Sequence, residues 1–142
     1  LFDEVGAQIS KKGHEFGATT GRARRCGWLD LVALKYAIQI NGVTQLMMMK
    51  GDVLSGFKTI KVCKQYQTDH GLIDHFPYNI QSDLITPEYT DISGWKEDLT
   101  QISAEKDLPK NFLDYVDFLE QELKTPIKIV SVGPDRKQTI VR

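Results

Sequence analysis

Histidine, cysteine and tryptophan are scarce here, at three, two and two of 142 residues. Two cysteines, Cys26 and Cys63, cannot make a disulfide framework, and the plain reading is free thiols in a reducing cytoplasm. Charge of one sign is missing too: 18 Lys and Arg meet 19 Asp and Glu, a formal net charge of −1. That balance lacks the basic footprint of a nucleic-acid binder and gives no attraction to an anionic membrane surface. No apolar run approaches the roughly 20 residues that span a bilayer, and residues 1–6 are too short and too acidic for a signal peptide. Internal repeats, low-complexity stretches and a glycine-rich phosphate loop are all absent. So is an initiator methionine: the chain opens at Leu1 in a polar stretch, which suggests a piece of a longer protein.

What is present is ordinary for one globular domain, 41% hydrophobic and 26% charged. Residues 1–25 are polar and punctuated by glycine, which predicts a loop. Residues 28–40 (WLDLVALKYAIQI) are apolar almost all round and stop at Asn41-Gly42, predicting a buried helix with a glycine stop. The short run at residues 45–49 (QLMMM) suits a strand covered on both faces, as in a parallel sheet. Residues 59–67 alternate as a half-exposed strand, with a hairpin turn at Asp69-His70-Gly71 and a return through about residue 78. Residues 81–100, with Pro87 and Gly94-Trp95, read as an irregular excursion. Past Leu108-Pro109, the residues Phe112, Leu113, Tyr115, Val116, Leu119 and Leu123 recur at helical spacing. A strand at 127–132, a turn at Gly133-Pro134-Asp135 and a short strand at 138–141 close the chain. This order is α/β: part of a mostly parallel sheet with flanking helices and a β-hairpin, one edge of a larger sheet.

Three segments carry chemistry. Thr19-Thr20-Gly21-Arg22-Ala23-Arg24-Arg25 offers planar guanidinium forks, two hydroxyls and unhindered backbone N–H groups, a donor set for carboxylate or phosphate. Alone, such a loop is equally a solvated basic segment or a nucleic-acid arm. Its position between Gly13-His14-Glu15-Phe16-Gly17 and an abrupt apolar helix argues for a pinned loop. Lys50-Gly51-Asp52 follows an apolar strand directly, where open α/β sheets bind ligands. An aspartate there can accept two parallel N–H groups from guanine, a pair that adenine does not offer, and the lysine stem can cover the purine face. Three residues are a weak pattern. Ser131-Val132-Gly133-Pro134 ends a second strand, with small residues that let backbone approach a flat base; a plain strand-to-turn junction fits them as well. His70 and His75 with Asp69 and Asp74 could in principle hold a metal, but histidines five apart across a hairpin are more often just turn residues.

The segment Gly13-His14-Glu15-Phe16-Gly17-Ala18-Thr19-Thr20-Gly21-Arg22, continuing through Arg24-Arg25-Cys26-Gly27-Trp28-Leu29-Asp30, resembles the signature loop of the adenylosuccinate synthetases. Lys50-x-Asp52-Val53-Leu54-x-Gly56 and Ile129-Val130-Ser131-Val132-Gly133-Pro134-Asp135-Arg136 match that family in the right order. Pro77-Tyr78, Gly94-Trp95 and the Leu108-Pro109 helix fall where the family has similar residues, so the resemblance covers essentially all of residues 1–142. It implies a C-terminal segment of a GTP-dependent ligase that joins IMP and L-aspartate in AMP biosynthesis, P-loop NTPase-like when complete. Ala18, Thr19, Thr20, Gly21, Arg22, Ala23 and Arg24 would close over L-aspartate, Arg22 reaching IMP and Arg24 the GTP side. Lys50, Gly51, Asp52, Ser131, Val132 and Gly133 would form the guanine pocket. The family's phosphate loop, catalytic aspartate and histidine lie N-terminal to such a segment. No catalytic and no metal-binding residue is therefore expected here; Mg2+ would be bound mainly by the absent part, and the chain alone would be inactive. A cytoplasmic homodimer, with no nucleic-acid or membrane partner, completes the implication. Ala23 replaces a common proline and Gly51 a more usual leucine, which bears on the stiffness of both turns. A stand-alone guanine-nucleotide-binding module remains the competing class.

Overall fold

The computed structural model describes residues 1–81 and 84–142. Its first element is a helix, α1 (Glu4–Lys12), where a loop is expected. Asp3 caps it, accepting from the Gly6 N–H at 3.0 Å, Glu4 and the lysines at 11 and 12 suit the two ends of the helix dipole, and Gly13 follows the last turn. Val5 and Ile9, four apart, both meet the core, Ile9 as a buried member and Val5 partly covered.

Trp28 lies outside any helix. Leu29–Asp30 form a two-residue strand, β1, and α2 runs over Leu31–Asn41. Asp30 caps α2 through Oδ1, which accepts the Ala33 N–H at 3.0 Å. Gly42, at φ 60°, supplies the left-handed stop that Asn-Gly announces. Burial differs from expectation: within α2 only Leu31 and Val32 are buried, while Tyr36 and Ile40 stand exposed.

The α/β class is as expected; the strands of this chain form two small sheets, and each contains a parallel pair. In the first, β3 (Thr59–Thr68) pairs in parallel with β1 and antiparallel with β4 (Gly71–Ile73) and β5 (Thr86–Ser93). The hairpin turn at Asp69-His70 is where it was read, but its return strand is only three residues long. β5 falls inside the predicted irregular excursion, of which residues 82 and 83 lie outside the described residues. It is exposed along nearly its whole length, so it follows the open edge of β3 and not a hydrophobic alternation of its own. Pro87 is tolerated because β5 pairs only with β3 and so has one free edge.

In the second sheet β6 (Ile127–Ser131) lies between β2 (Leu46–Met48), which is parallel to it, and β7 (Thr139–Val141), which is antiparallel. Parallel pairing puts the carboxyl ends of β2 and β6 side by side. β2 is not covered on both faces, since Met47 and Met49 are each 65% exposed.

The helix α3 (Lys110–Leu123) buries Phe112, Tyr115, Val116, Leu119 and Leu123, the predicted face except Leu113, which is half-buried. Trp95 packs edge-on against Phe112 with ring centroids 4.8 Å apart, and its Nε1–H donates to Ser55 Oγ at 3.0 Å. Gly94 makes this packing possible: a Cβ there would lie 1.9 Å from the Phe57 carbonyl oxygen. None of the helices among the described residues is long and apolar enough to cross a membrane.

Candidate functional site

β2 ends at Met48, and the chain turns sharply at Lys50, whose φ of 60° and ψ of 39° place it in the left-handed region. One tight helical turn, Gly51–Leu54, follows. Left-handed backbone is costly for a residue with a side chain and concentrates at functional turns. Gly51 presses against two neighbours: a Cβ would sit 3.0 Å from the Phe112 ring and 3.4 Å from the Ser131 carbonyl oxygen. The turn is thus wedged between α3 and the end of β6, and a Cβ at Gly51 would require the Phe112 ring to give by a few tenths of an ångström.

Lys50, Asp52, Ser131 and Gly133 line one cavity of about 270 Å³. Asp52 Oδ1 is buried and has no hydrogen-bond partner among the described residues. A carboxylate oxygen shut away from water without a donor is a cost that a native fold rarely leaves standing. The opposite wall is fixed by Gln138: its Oε1 accepts the Asp135 N–H at 2.8 Å, and its Nε2 donates to Thr100 O at 2.9 Å. That amide crosses Gly133 so closely that a Cβ there would lie 2.2 Å from Gln138 Oε1. Ser131 Oγ donates to Gly133 O at 2.9 Å and tightens the same turn.

Two predicted residues stand apart. Val132 is fully buried in the hydrophobic core, its N–H bonded to Gln138 O at 2.8 Å; it fixes the turn without lining the cavity. Gly51 faces a neighbouring, largely apolar cavity under Trp28, Met47 and Leu119. Lys12, His14, Pro134 and Arg136 also line the first cavity and carried no separate sequence signal. His14 shares the left-handed backbone of Lys50, with φ 49°.

The arginine segment is a closed hairpin. Phe16 bridges Ala23, the Gly17 N–H donates to Arg22 O and the Gly21 N–H to Gly17 O, both at 2.8 Å, and the Arg24 N–H donates to Glu15 O at 2.9 Å. Gly21, at φ 65°, makes the reversal at the tip. Thr20, Arg22, Ala23 and Arg24 line an open depression of about 690 Å³ with Arg25 and Gly27, whereas Ala18, Thr19 and Gly21 are exposed outside it.

Glu15 stands between the two sites. Its carboxylate pairs with Lys50 Nζ and, at 3.1 Å, with Arg24 Nη1. The hydrogen bond from Lys50, then that from Arg24, holds its carboxyl below the ordinary range. Asp30, at the end of the signature segment, accepts the buried Tyr66 hydroxyl on Oδ2 at 2.5 Å. Burial first, then this contact, pushes the Tyr66 phenol well up. Burial likewise raises the Cys63 thiol to about 11, so it is protonated and unreactive near neutral pH. His75 Nδ1 and Asp74 Oδ1 are 3.8 Å apart, and no group of three or more His, Cys, Asp or Glu placed to hold a metal occurs among the described residues.

A family model described as adenylosuccinate synthetase matches residues 1–140. The adenylosuccinate synthetase of Christiangramia forsetii is 67% identical over 142 residues, which is all of this chain and 34% of that protein. That of Flavobacterium johnsoniae is 62% identical over the same span and share. The solved structure of fully ligated adenylosuccinate synthetase from Plasmodium falciparum superposes with a TM-score of 0.94 at 39% identity, covering 100% of this chain and 35% of that one. This chain therefore spans about a third of the length of the relatives it matches. Family model, curated relatives and solved structure agree, and the chain belongs to the adenylosuccinate synthetase family.

Proposed function

We propose that this chain is the C-terminal segment of a GTP-dependent ligase that joins IMP and L-aspartate to form adenylosuccinate, with GDP and phosphate as the other products. In that reaction the γ-phosphoryl of GTP passes to the oxygen on C6 of IMP, and the aspartate amine then displaces that phosphate. The segment's share is recognition. Asp52 accepts the ring N–H and exocyclic amine of guanine, the Lys50 stem covers the purine, and Ser131 and Gly133 line its edge. The hairpin closes over L-aspartate, Thr20 and the guanidinium forks holding its carboxylates, with Arg22 reaching IMP and Arg24 the GTP side.

Asp52 lines a cavity shared by two strand-end turns and has a buried Oδ1 with no hydrogen-bond partner among the described residues; these two observations carry this reading. A flat base with two adjacent donors relieves that buried acceptor, which adenine cannot do on the same edge. Magnesium, which the family reading implies, would supply charge neutralisation for the phosphates of GTP. The described residues offer no cluster that fits it, so no step is derived through it on this chain. The general acid and base are likewise assigned to the other two thirds of the enzyme, a cytoplasmic homodimer on this reading, and the isolated segment is inactive.

The test is Asp52→Ala in a complete synthetase that carries this segment. Losing hydrogen bonds to a charged group costs about 1.5–3 kcal/mol, so GTP affinity falls about 10- to 100-fold while IMP affinity stays within about twofold. Equal losses for both ligands would remove the guanine assignment.

A further inference from the structure

The two ligand loops of the proposed function share one carboxylate. Glu15 Oε2 accepts Arg24 Nη1 at 3.1 Å, and Oε1 accepts the Lys50 ammonium, which also donates to Gly13 O at 2.8 Å. Among the described residues neither cation has another acidic partner. The backbone builds this meeting point. His14 and Lys50 are two of only three left-handed non-glycine residues in the described chain, a conformation that side-chain-bearing residues adopt under tertiary constraint. The base of the hairpin is tied at the same place, because Glu15 O accepts the Arg24 N–H at 2.9 Å. Ser10 Oγ lies 3.4 Å from both Glu15 O and Arg24 O. Lys50 is thereby stretched from its left-handed turn to Glu15, its stem fixed along the cavity wall.

We propose that Glu15 is a positioning residue that couples the purine cavity to the arginine hairpin. It holds Lys50 and Arg24 at once, so order imposed at either loop is passed to the other. The coupling rests on the guanine and L-aspartate reading for its purpose, but its physical content is independent of any ligand: removing the charge of Lys50 must loosen a hairpin whose side-chain link to Lys50 runs through Glu15. Occupation of the cavity by a purine would restrain Lys50, then Glu15, then the hairpin base. A second ligand would then meet a loop already ordered.

Amide hydrogen exchange on the unliganded chain tests this directly. The reporters are the hairpin N–H groups of Gly17, Gly21 and Arg24, with Val62 and Cys63 in β3 as controls for the fold. Lys50→Met, which keeps the stem and loses the charge, is expected to speed exchange of the reporters about threefold, the scale of an exposed ion pair. Glu15→Gln is expected to do the same, and the double variant to add nothing further. Lys50→Arg, which keeps the charge, should stay near the wild-type rates. A hairpin indifferent to Lys50→Met, or single effects that simply multiply in the double variant, would overturn the coupling. Titration of the wild-type chain with GDP, followed by calorimetry, is a separate arm. Failure to bind would count against the purine reading, while the exchange rates of the four unliganded proteins still decide the coupling. Where GDP binds, slower hairpin exchange in wild type but not in Glu15→Gln is expected, and equal slowing in both would overturn the proposal.

Discussion

At the scale of single residues, two aspartates differ in how fully the protein satisfies their oxygens. Asp30 spends both oxygens inside the protein, one on the Ala33 N–H that begins α2 and the other on the Tyr66 hydroxyl. Asp52 keeps one buried oxygen without a partner among the described residues. The difference is an argument from hydrogen-bond satisfaction: a fold completes what it needs for stability, and leaves open what a ligand completes. Tyr66→Phe tests the first half. It preserves shape but strips Asp30 Oδ2 of its donor in a site where Tyr66 is 1% exposed. A lost bond to a charged acceptor costs about 1.5–3 kcal/mol, which for a chain of this length lowers Tm by about 5–10 °C. An unchanged Tm in calorimetry would show that the contact contributes nothing net.

At the scale of elements, the segment between β3 and α3 is held by close backbone approach at Gly94 as well as by the buried Trp95, Leu99 and Leu108. Gly94 N–H donates to Lys58 O at 3.0 Å, and Gly56 N–H to Trp95 O at 2.7 Å, closing the end of β5 onto the turn that follows Leu54. Gly94→Ala would push a methyl into the Phe57 carbonyl, a backbone atom that cannot rotate away. Overpacking of this kind typically costs about 1–3 kcal/mol, and here the lower end is excluded because the backbone itself must shift. A urea midpoint for Gly94→Ala equal to that of wild type would refute this. The sequence speaks unevenly at this scale. Phe112, Tyr115, Val116, Leu119 and Leu123 announce α3, and Asn41-Gly42 announces the end of α2. For α1 the signals are present in Asp3, Glu4, Lys11, Lys12 and Gly13, but Gly6 and Gly13 read as loop punctuation masked them. β5 has no such signal, since Thr86–Ser93 is exposed nearly throughout and forms because β3 offers an edge.

At the scale of the whole molecule, the apolar pattern exceeds what this chain covers. Met47 on β2, Met49 just past its end, and Tyr36 and Ile40 on α2 are exposed although their segments are written as if buried, and the chain spans about a third of its relatives' length. Met47→Thr should therefore change the stability of this chain by no more than about 0.5 kcal/mol, as at an ordinary surface position. A thermal shift of several degrees would mean that the face is packed in solution.

Local chemistry was enough to write the α3 face, the helix stop at Gly42 and the three chemistry-bearing segments, because periodicity, turn residues and donor types act over a few neighbours. Proximity was not local. That Lys50 and Asp52 share a cavity with Ser131 and Gly133 depends on β2 lying parallel to β6 across about 80 residues of intervening chain. That Val132 turns inward, that Asp52 is left without a donor, and that Glu15 binds two loops at once were decided only when packing fixed which atoms meet.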